Sequence, residues 1–151
     1  MAVTMADITK LRKMTGAGMM DCKKALEEAN NDFDGAIEII RKRGQAIAAK
    51  REDREAAEGC VLATSKGDYA AIVALKCETD FVAQNKDFVA LTQKILDAAI
   101  ENKPADLEAL KAIKLDGRTI AELVTDQSGV TGEKMELGYF DSLSAASTIF
   151  Y

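Results

Sequence analysis

The stretch GCVLATSKGDYAAIVALKC, residues 59–77, decides the fold class. Apolar residues alternate along it, which is the period of a strand with one buried face, and SKGD at 65–68 has the composition of a turn. We expect a first strand over 60–64 and, after the turn, a second strand that pairs with it. The second strand is expected to place one row of side chains on the same face: Tyr69, Ala71, Val73, Leu75 and Cys77.

The first fifty residues have the period of helices instead. Apolar residues recur there at helical spacing in three groups, which glycine or asparagine separates. The groups are Ile8, Leu11 and Met14; Cys22, Ala25, Leu26 and Ala29; and Phe33, Ala36, Ile37 and Ile40. Gly44 follows three basic residues and is expected to end the third helix. A compact three-helix domain is predicted for residues 1–45.

Residues 46–58 connect the helices to the hairpin. They are rich in alanine and in charged residues, and they have little apolar surface after Ile47. A solvated, charged linker helix is the simpler interpretation, and a specific binding segment is the alternative. The stretch marks a domain boundary.

A second domain is predicted for residues 59–151. After the hairpin, Phe88, Leu91, Ile95 and Ala99 indicate a long amphipathic helix over about 82–101, and shorter helices follow, the last of them before Ser128. Residues 136–151 return to strand-like composition, and 147–151 resemble a strand cut inside a larger domain. Helices and strands in this order predict the α+β class.

The composition excludes several functional classes. The chain has 151 residues, 48% apolar and 30% charged, which is typical of a globular protein with a core. It has no apolar run that would span a bilayer and no targeting segment at its start, so a cytoplasmic location is expected. It contains no histidine, and its three cysteines are widely spaced, so we expect no metal site and no enzymatic activity.

The charge distribution argues for a protein partner. Residues 1–50 carry 9 Lys/Arg and 7 Asp/Glu, and residues 51–151 carry 11 and 18, so the two parts have net charges of +2 and −7. Neither part has the clustered basic residues of a nucleic-acid binder. Because no glycine-rich phosphate loop is present either, we expect no direct nucleotide binding and no cofactor.

The turn at 16–18, Gly-Ala-Gly, is followed by two adjacent methionines, Met19 and Met20. Since a core this small can take at most one of them, one interpretation has one methionine buried and the other incidentally exposed. The alternative is an adaptable apolar contact patch, flanked by Lys23 and Lys24, for a partner helix.

The segment CETDFVA, residues 77–83, joins the second strand to the long helix. Thr79 and Asp80 are favourable N-cap residues, so Phe81 could pack as a hydrophobic staple above a simple cap. The alternative is that the junction presents a rigid aromatic side chain beside a carboxylate at the surface, as an interface hot spot does.

Together, TGAGMMDCKKAL at 15–26 and TDFVA at 79–83 resemble the two signature stretches of the elongation factor Ts family. The resemblance covers nearly the whole chain. It implies that the three helices are similar to a ubiquitin-associated (UBA) domain and that residues 59–151 are the N-terminal half of an α+β core. Because family members usually continue into a second half, the resemblance also implies a C-terminally truncated chain.

The resemblance further implies a function, which is guanine-nucleotide exchange on the GTPase elongation factor Tu. Met19, Met20, Lys23 and Lys24 match the family's docking surface. Thr79, Asp80, Phe81 and Val82 match the residues that intrude near the partner's Mg²⁺ site. Two alternatives remain: a UBA-like protein-binding adaptor without exchange activity, and a thiol-dependent enzyme that uses one of the cysteines, Cys22, Cys60 or Cys77.

Overall fold

The computed structural model describes residues 2–146, which contain helices and an antiparallel sheet. The α+β class is therefore confirmed. The elements are α1 (Met5–Thr15), α2 (Met19–Glu28), α3 (Phe33–Lys50), β1 (Glu58–Lys66), β2 (Tyr69–Cys77), α4 (Asp80–Ala83), α5 (Lys86–Asn102), α6 (Leu107–Ala112), β3 (Lys114–Leu115), β4 (Arg118–Thr119), α7 (Ile120–Thr131) and β5 (Glu136–Ser144).

The described residues form two compact units. The helical unit comprises residues 2–52 together with 125–133, and the sheet unit comprises residues 53–124 together with 134–146. The predicted domain limits, 1–45, 46–58 and 59–151, stay predictions. None of the helices within residues 2–146 combines the length and the apolar character needed to cross a bilayer.

In the helical unit, α1 begins with a capping box. The Thr4 hydroxyl accepts a hydrogen bond from the Asp7 N–H (3.2 Å), and the Asp7 carboxylate accepts one from the Thr4 N–H (3.1 Å). The predicted helical stripes supply most of the buried apolar residues: Ile8, Leu11, Ala17, Cys22, Ala25, Leu26 and Ala36. Three helices around one small core are therefore confirmed.

The end of the first stripe is placed differently from the prediction. Met14 was expected in the core, but its side chain is 55% exposed, so this prediction is wrong. The inner face of α1 continues instead from Leu11 to Thr15, four residues on, which is half-buried. The Thr15 hydroxyl donates to the Leu11 carbonyl (2.9 Å), which satisfies this polar group at the edge of the core.

Gly44 does not end α3, so the predicted helix stop is wrong. The helix continues to Lys50, and Gly44 is buried within it. The reason is a close approach between main chains of the helical unit: a Cβ on Gly129 would lie only 2.4 Å from the Gly44 Cα. Glycine at position 129 allows α3 to pack this closely against the second half of α7.

The predicted linker helix over 46–58 is also wrong. Residues 46–50 form the last turn of α3, residues 51–57 form turns and coil, and β1 begins at Glu58. A helix without an apolar face to bury is marginal in water. Because the apolar face ends near Ile47, the charged run that follows has no packing to keep it helical.

In the sheet unit, the predicted hairpin is confirmed. β1 and β2 pair antiparallel from Glu58 opposite Cys77 to Lys66 opposite Tyr69. The turn is a two-residue one at 67–68, shorter than predicted, and Gly67 supplies the positive φ of 63° that such a turn requires.

The second strand of the hairpin is the centre of a three-stranded sheet with the order β1-β2-β5. Alternate residues of β2 are buried, beginning with Tyr69 and ending with Cys77, as the alternation predicts. The helices α5, α6 and α7 cover this face with Phe88, Ile95, Leu96, Ala98, Ala99, Leu110, Ile120 and Val124. The central strand and the helices therefore share one core.

The long helix predicted over 82–101 is in fact two helices, α4 and α5, so its predicted start is wrong. Asn85 interrupts it, because the Asn85 side-chain oxygen accepts hydrogen bonds from the N–H groups of Asp87 (2.9 Å) and Phe88 (3.3 Å). This is an N-cap that begins a new helix. The helix ends at Asn102, before Pro104, as predicted.

Two further differences lie after α6, where the predicted C-terminal strand is also found. The helix expected to end before Ser128 runs to Thr131, because Gly129 is used for close packing inside the helix. The small hairpin of β3 and β4 was not predicted, although its turn has an Asp-Gly pair with positive φ at Asp116 (54°) and Gly117 (81°). The predicted C-terminal strand appears as β5, and its last expected residues, 147–151, lie outside the described residues.

Candidate functional site

The junction between β2 and α4 is the first candidate region. Thr79 has extended backbone geometry and is the N-cap of α4, and its hydroxyl accepts from the Val82 N–H (3.4 Å). The Thr79 carbonyl accepts from the Ala83 N–H (3.1 Å), which closes the first turn. The predicted capping role of Thr79 is confirmed, and Asp80 occupies the first turn, where the helix dipole favours a carboxylate.

Phe81 decides between the two interpretations of this junction. Its side chain is 84% exposed, so the staple interpretation is wrong. Asp80 beside it is also exposed, whereas Val82 and Ala83 pack against the core of the sheet unit. The short helix thus buries one side and presents an aromatic ring next to a carboxylate on the other.

Two hydrogen bonds secure the chain just before this helix. The Cys77 thiol donates to the Thr79 carbonyl (3.2 Å), and the Glu78 carboxylate accepts from the Lys134 N–H (2.7 Å). Sequence reasoning did not assign a role to Glu78, since its partner lies 56 residues away. Its position directly before Thr79 was the only local signal.

The turn at 16–18 and the start of α2 form the second candidate region, which we call the docking turn after the role predicted for it. Gly16 has a φ of 74°, and its N–H donates to the Arg12 carbonyl (2.7 Å), which ends α1. Ala17 is buried, and Gly18 is the N-cap of α2 without a side-chain hydrogen bond. The turn is therefore not held by an N-cap side chain, although the Ala17 N–H donates to the Thr15 hydroxyl (3.3 Å).

Both methionines after this turn are exposed. Met19 is 39% and Met20 is 62% exposed, so the interpretation with one methionine buried is wrong. Lys23 lies 3.9 Å from the Glu27 carboxylate on the same helix, and Lys24 is exposed. The docking turn therefore presents two flexible apolar side chains with basic residues one turn further along α2.

The cysteines are placed as packing groups. Cys22 is fully buried, its thiol donates to the Ala17 carbonyl (3.7 Å), and burial raises its pKa. A nucleophilic thiol needs a lowered pKa. The raised pKa of Cys22 therefore argues against its use as the nucleophile of a thiol-dependent enzyme. Cys77 is buried and Cys60 is half-buried. Within the part of the chain that the structure describes, acidic residues and cysteines form no group of three or more that could hold a metal ion.

Comparisons with known proteins agree on one family. A family model described as elongation factor TS matches residues 78–151. The elongation factor Ts of Porphyromonas gingivalis is 68% identical over 100% of this chain and 56% of the relative, and that of Parabacteroides distasonis is 68% identical over 100% of this chain and 46% of the relative. The protein of the same name from Phocaeicola vulgatus is 65% identical over 100% of this chain and 46% of the relative. The chain thus spans about half the length of the curated relatives it matches.

Proposed function

The chain belongs to the elongation factor Ts family, and from this premise we propose that it acts in translation elongation as a guanine-nucleotide exchange factor. Its partner in this proposal is elongation factor Tu, from which it promotes the release of GDP. The role would be carried out in the cytoplasm and requires no membrane or nucleic-acid contact by this chain.

The observation that carries the proposal is the exposure of Phe81. An aromatic side chain that is 84% exposed on a well-capped helix contributes little to the fold. Exposed aromatic residues that are held in one orientation are typical of interface hot spots, where burial against the partner supplies much of the binding energy. Phe81 is therefore suited to insert into a protein partner.

Asp80 gives this insertion a chemical consequence. GTPases hold their nucleotides largely through the phosphates and a Mg²⁺ ion, which tolerates only near-ideal octahedral coordination. In the proposed mechanism, Phe81 wedges between helices of the partner while the Asp80 carboxylate disturbs the surroundings of the metal. Thr79 and Val82 keep the short helix in the geometry that delivers both side chains.

The docking turn supplies a second, more adaptable contact. Met19 and Met20 offer flexible, polarizable side chains that can fit an irregular apolar surface on the partner. Lys23 and Lys24 would steer the approach of an acidic partner surface and fix the register of α2 on it. In this proposal the docking turn binds the partner, and the β2–α4 junction disturbs its metal site.

The proposed activity needs no catalytic residue, cofactor or nucleotide site on this chain. If the chain weakens nucleotide binding to its partner, thermodynamic linkage requires that nucleotide weakens the partner's binding to the chain by the same free energy. Excess GTP then fills the emptied site and expels the chain. We therefore propose that the protein is a binding factor and not an enzyme.

The test is the release of fluorescently labelled GDP from purified elongation factor Tu as the chain is titrated in. The wild-type chain is expected to accelerate release, and Phe81→Ala is expected to reduce the acceleration by about thirtyfold or more, since hot-spot truncations cost about 2 kcal/mol or more. Tyr139→Ala is the matched control, because Tyr139 is an aromatic residue of the same unit with 50% exposure.

The outcomes separate the candidate functions. Acceleration that Phe81→Ala loses and Tyr139→Ala keeps would support the proposal, whereas equal rates for both variants would contradict the wedge. If the wild-type chain bound the GTPase without accelerating release, the protein-binding adaptor would be the better assignment. Absence of binding to the GTPase would contradict the proposed exchange function.

A further inference from the structure

The place where the main chain leaves the sheet unit's central strand determines where Phe81 points. β2 and β5 pair antiparallel, and their last rung on this side places Lys76 opposite Glu136. After one more pair, between residues 77 and 135, the rung that follows in this register would place residue 78 opposite residue 134. The ladder does not continue with that rung, because the main chain turns away into α4.

Glu78 fills the missing rung with its side chain. Its carboxylate accepts a hydrogen bond from the Lys134 N–H at 2.7 Å, where a strand partner would have offered a main-chain carbonyl. A bond from an N–H group to a carboxylate is charge-assisted and stronger than a bond between neutral groups. The side chain thus stops the ladder, satisfies the N–H group, and frees the main chain to turn.

The short helix needs such an anchor. α4 has four residues, and a helix of this length has no independent stability in water. Its inner side packs through Val82 and Ala83, and its N-terminal end follows directly from Glu78 and Thr79. The Cys77 thiol, which donates to the Thr79 carbonyl, braces the same turn from within. Orientation of the exposed side chains therefore depends on the residues just before the helix.

We propose that Glu78 is a positioning residue, whose hydrogen bond to Lys134 holds Asp80 and Phe81 in the exposed arrangement that the partner meets. The inference rests on the proposed function for its biological meaning. If the hydrogen bond between Glu78 and Lys134 is lost, the exposed arrangement of Asp80 and Phe81 becomes one of several. The apparent affinity for the partner then falls in proportion to the fraction of molecules that keep this arrangement. Once bound, the wedge acts as before.

The test compares Glu78→Ala with Glu78→Gln in the full chain. Glutamine keeps a side-chain oxygen that can accept from the Lys134 N–H, and alanine does not. In the GDP-release assay, Glu78→Ala is expected to raise the concentration of chain that gives half-maximal release by about fivefold and to leave the maximal rate within about twofold. Glu78→Gln is expected to stay within about twofold of wild type in both quantities.

A second readout does not depend on the partner. We expect ¹⁵N relaxation of the chain alone to show increased fast motion of the Asp80 and Phe81 amides in Glu78→Ala and wild-type order in Glu78→Gln. Glu101→Ala is the control for charge, because it removes an exposed carboxylate from the same unit. It should leave both readouts unchanged.

Three results would overturn the inference. The first is unchanged amide order and unchanged half-maximal concentration in Glu78→Ala. The second is an equal defect in Glu78→Gln, which would mean that the charge matters and the acceptor does not. The third is a lowered maximal rate and a lowered melting temperature at unchanged half-maximal concentration, which a merely structural residue would give. If the wild-type chain failed to accelerate release, the proposed function alone would fall, and relaxation would decide the positioning role.

Discussion

The docking turn and the β2–α4 junction use the same local device to reverse the chain. In each, a buried cysteine donates its thiol hydrogen to a carbonyl of the turn: Cys22 to Ala17 (3.7 Å) and Cys77 to Thr79 (3.2 Å). In each, exposed apolar side chains follow at the start of a helix. The two regions differ in how those exposed side chains are held.

The docking turn leaves its apolar side chains free to adapt. Its N-cap is Gly18, which has no side chain to restrain the first turn of α2, and it is followed by methionines, which have three rotatable bonds. The junction has a side-chain cap from Thr79, a long-range hydrogen bond from Glu78, and an aromatic ring at Phe81 with only two side-chain torsions. If both regions contact the proposed partner, the difference predicts that the docking turn adjusts to the partner's surface while the junction keeps its own shape.

The largest expected effect is a loss of stability in the helical unit, which contains the docking turn, and not in the sheet unit, which contains the junction. Gly129→Ala would place a Cβ 2.4 Å from the Gly44 Cα, so α3 and α7 would have to move apart within the helical unit. We expect a loss of about 1–3 kcal/mol in the free energy of unfolding, measured with urea, as for other overpacked sites. Hydrogen exchange should rise in α2 and α3 and stay unchanged in β2.

Gly44→Ala is the matched control for this prediction. A Cβ on Gly44 would meet the Gly129 Cα at 3.5 Å, which is ordinary contact. Because alanine also favours the helix interior, this variant should be no less stable than wild type within about 0.5 kcal/mol. Equal destabilisation by both variants would contradict the asymmetry of the contact.

A shape change at each region tests the comparison directly. Phe81→Leu should raise the concentration for half-maximal GDP release by about tenfold, equivalent to about 1.4 kcal/mol, because a wedge depends on its planar ring. Met20→Leu should change the same concentration by less than about twofold, because the two side chains have similar volume and an adaptable surface tolerates the exchange. Equal sensitivity of the two positions would break the distinction between the regions.

Charge beside the docking turn should have a smaller effect that depends on salt. Lys24→Glu is expected to slow association with the partner by about threefold at low ionic strength, and the difference should disappear near 0.5 M salt as screening increases. Stopped-flow association rates would measure it. Lys23→Glu is the informative comparison, since Lys23 already lies 3.9 Å from Glu27 and its substitution also creates a repulsive pair on α2. Salt-independent slowing would contradict a steering role.

The smallest expected effect concerns acid pH and the start of α1. The hydrogen bond from the Thr4 hydroxyl, and then that from the Thr4 N–H, lowers the pKa of Asp7 below its usual value of 3.8. A pKa that is lower in the folded than in the unfolded chain stabilises the fold above the unfolded value, and this contribution is lost as the pH falls through the folded pKa. Thr4→Val should raise the Asp7 pKa, which an NMR titration of the carboxyl group measures. An unchanged pKa would show that the hydroxyl is not its main cause.

The elements that could be predicted from the sequence are those with a local cause. The hairpin followed from alternation over 59–77 and a turn-forming Lys-Gly-Asp, and the buried face of β2 followed from the same alternation. The three N-terminal helices followed from their apolar spacing. Both candidate regions were recognised from short signature stretches, and the functional roles of their residues stay predictions.

The failures have a common cause in contacts between distant residues. Gly44 was interpreted from its neighbours in sequence as a helix end, and the last helix was expected to end before Ser128. The main chains of Gly44 and Gly129 instead lie against each other, and only a glycine at position 129 allows this approach. Glu78 received no role because its partner, Lys134, lies on the approach to β5. Exposure of Phe81 could not be decided locally either, since a staple and a wedge have the same residues around the cap.

The contact between Gly44 and Gly129 also affects the order of events during synthesis. The ribosome adds about 5–20 residues per second, so on the order of ten seconds pass between the incorporation of Gly44 and that of Gly129. Throughout that interval the nascent helical unit lacks residues 125–133, although the whole docking turn has already been made. The emerging polypeptide therefore spends that time with the face of α3 around Gly44 uncovered, and this contact forms only after residue 129 has been added.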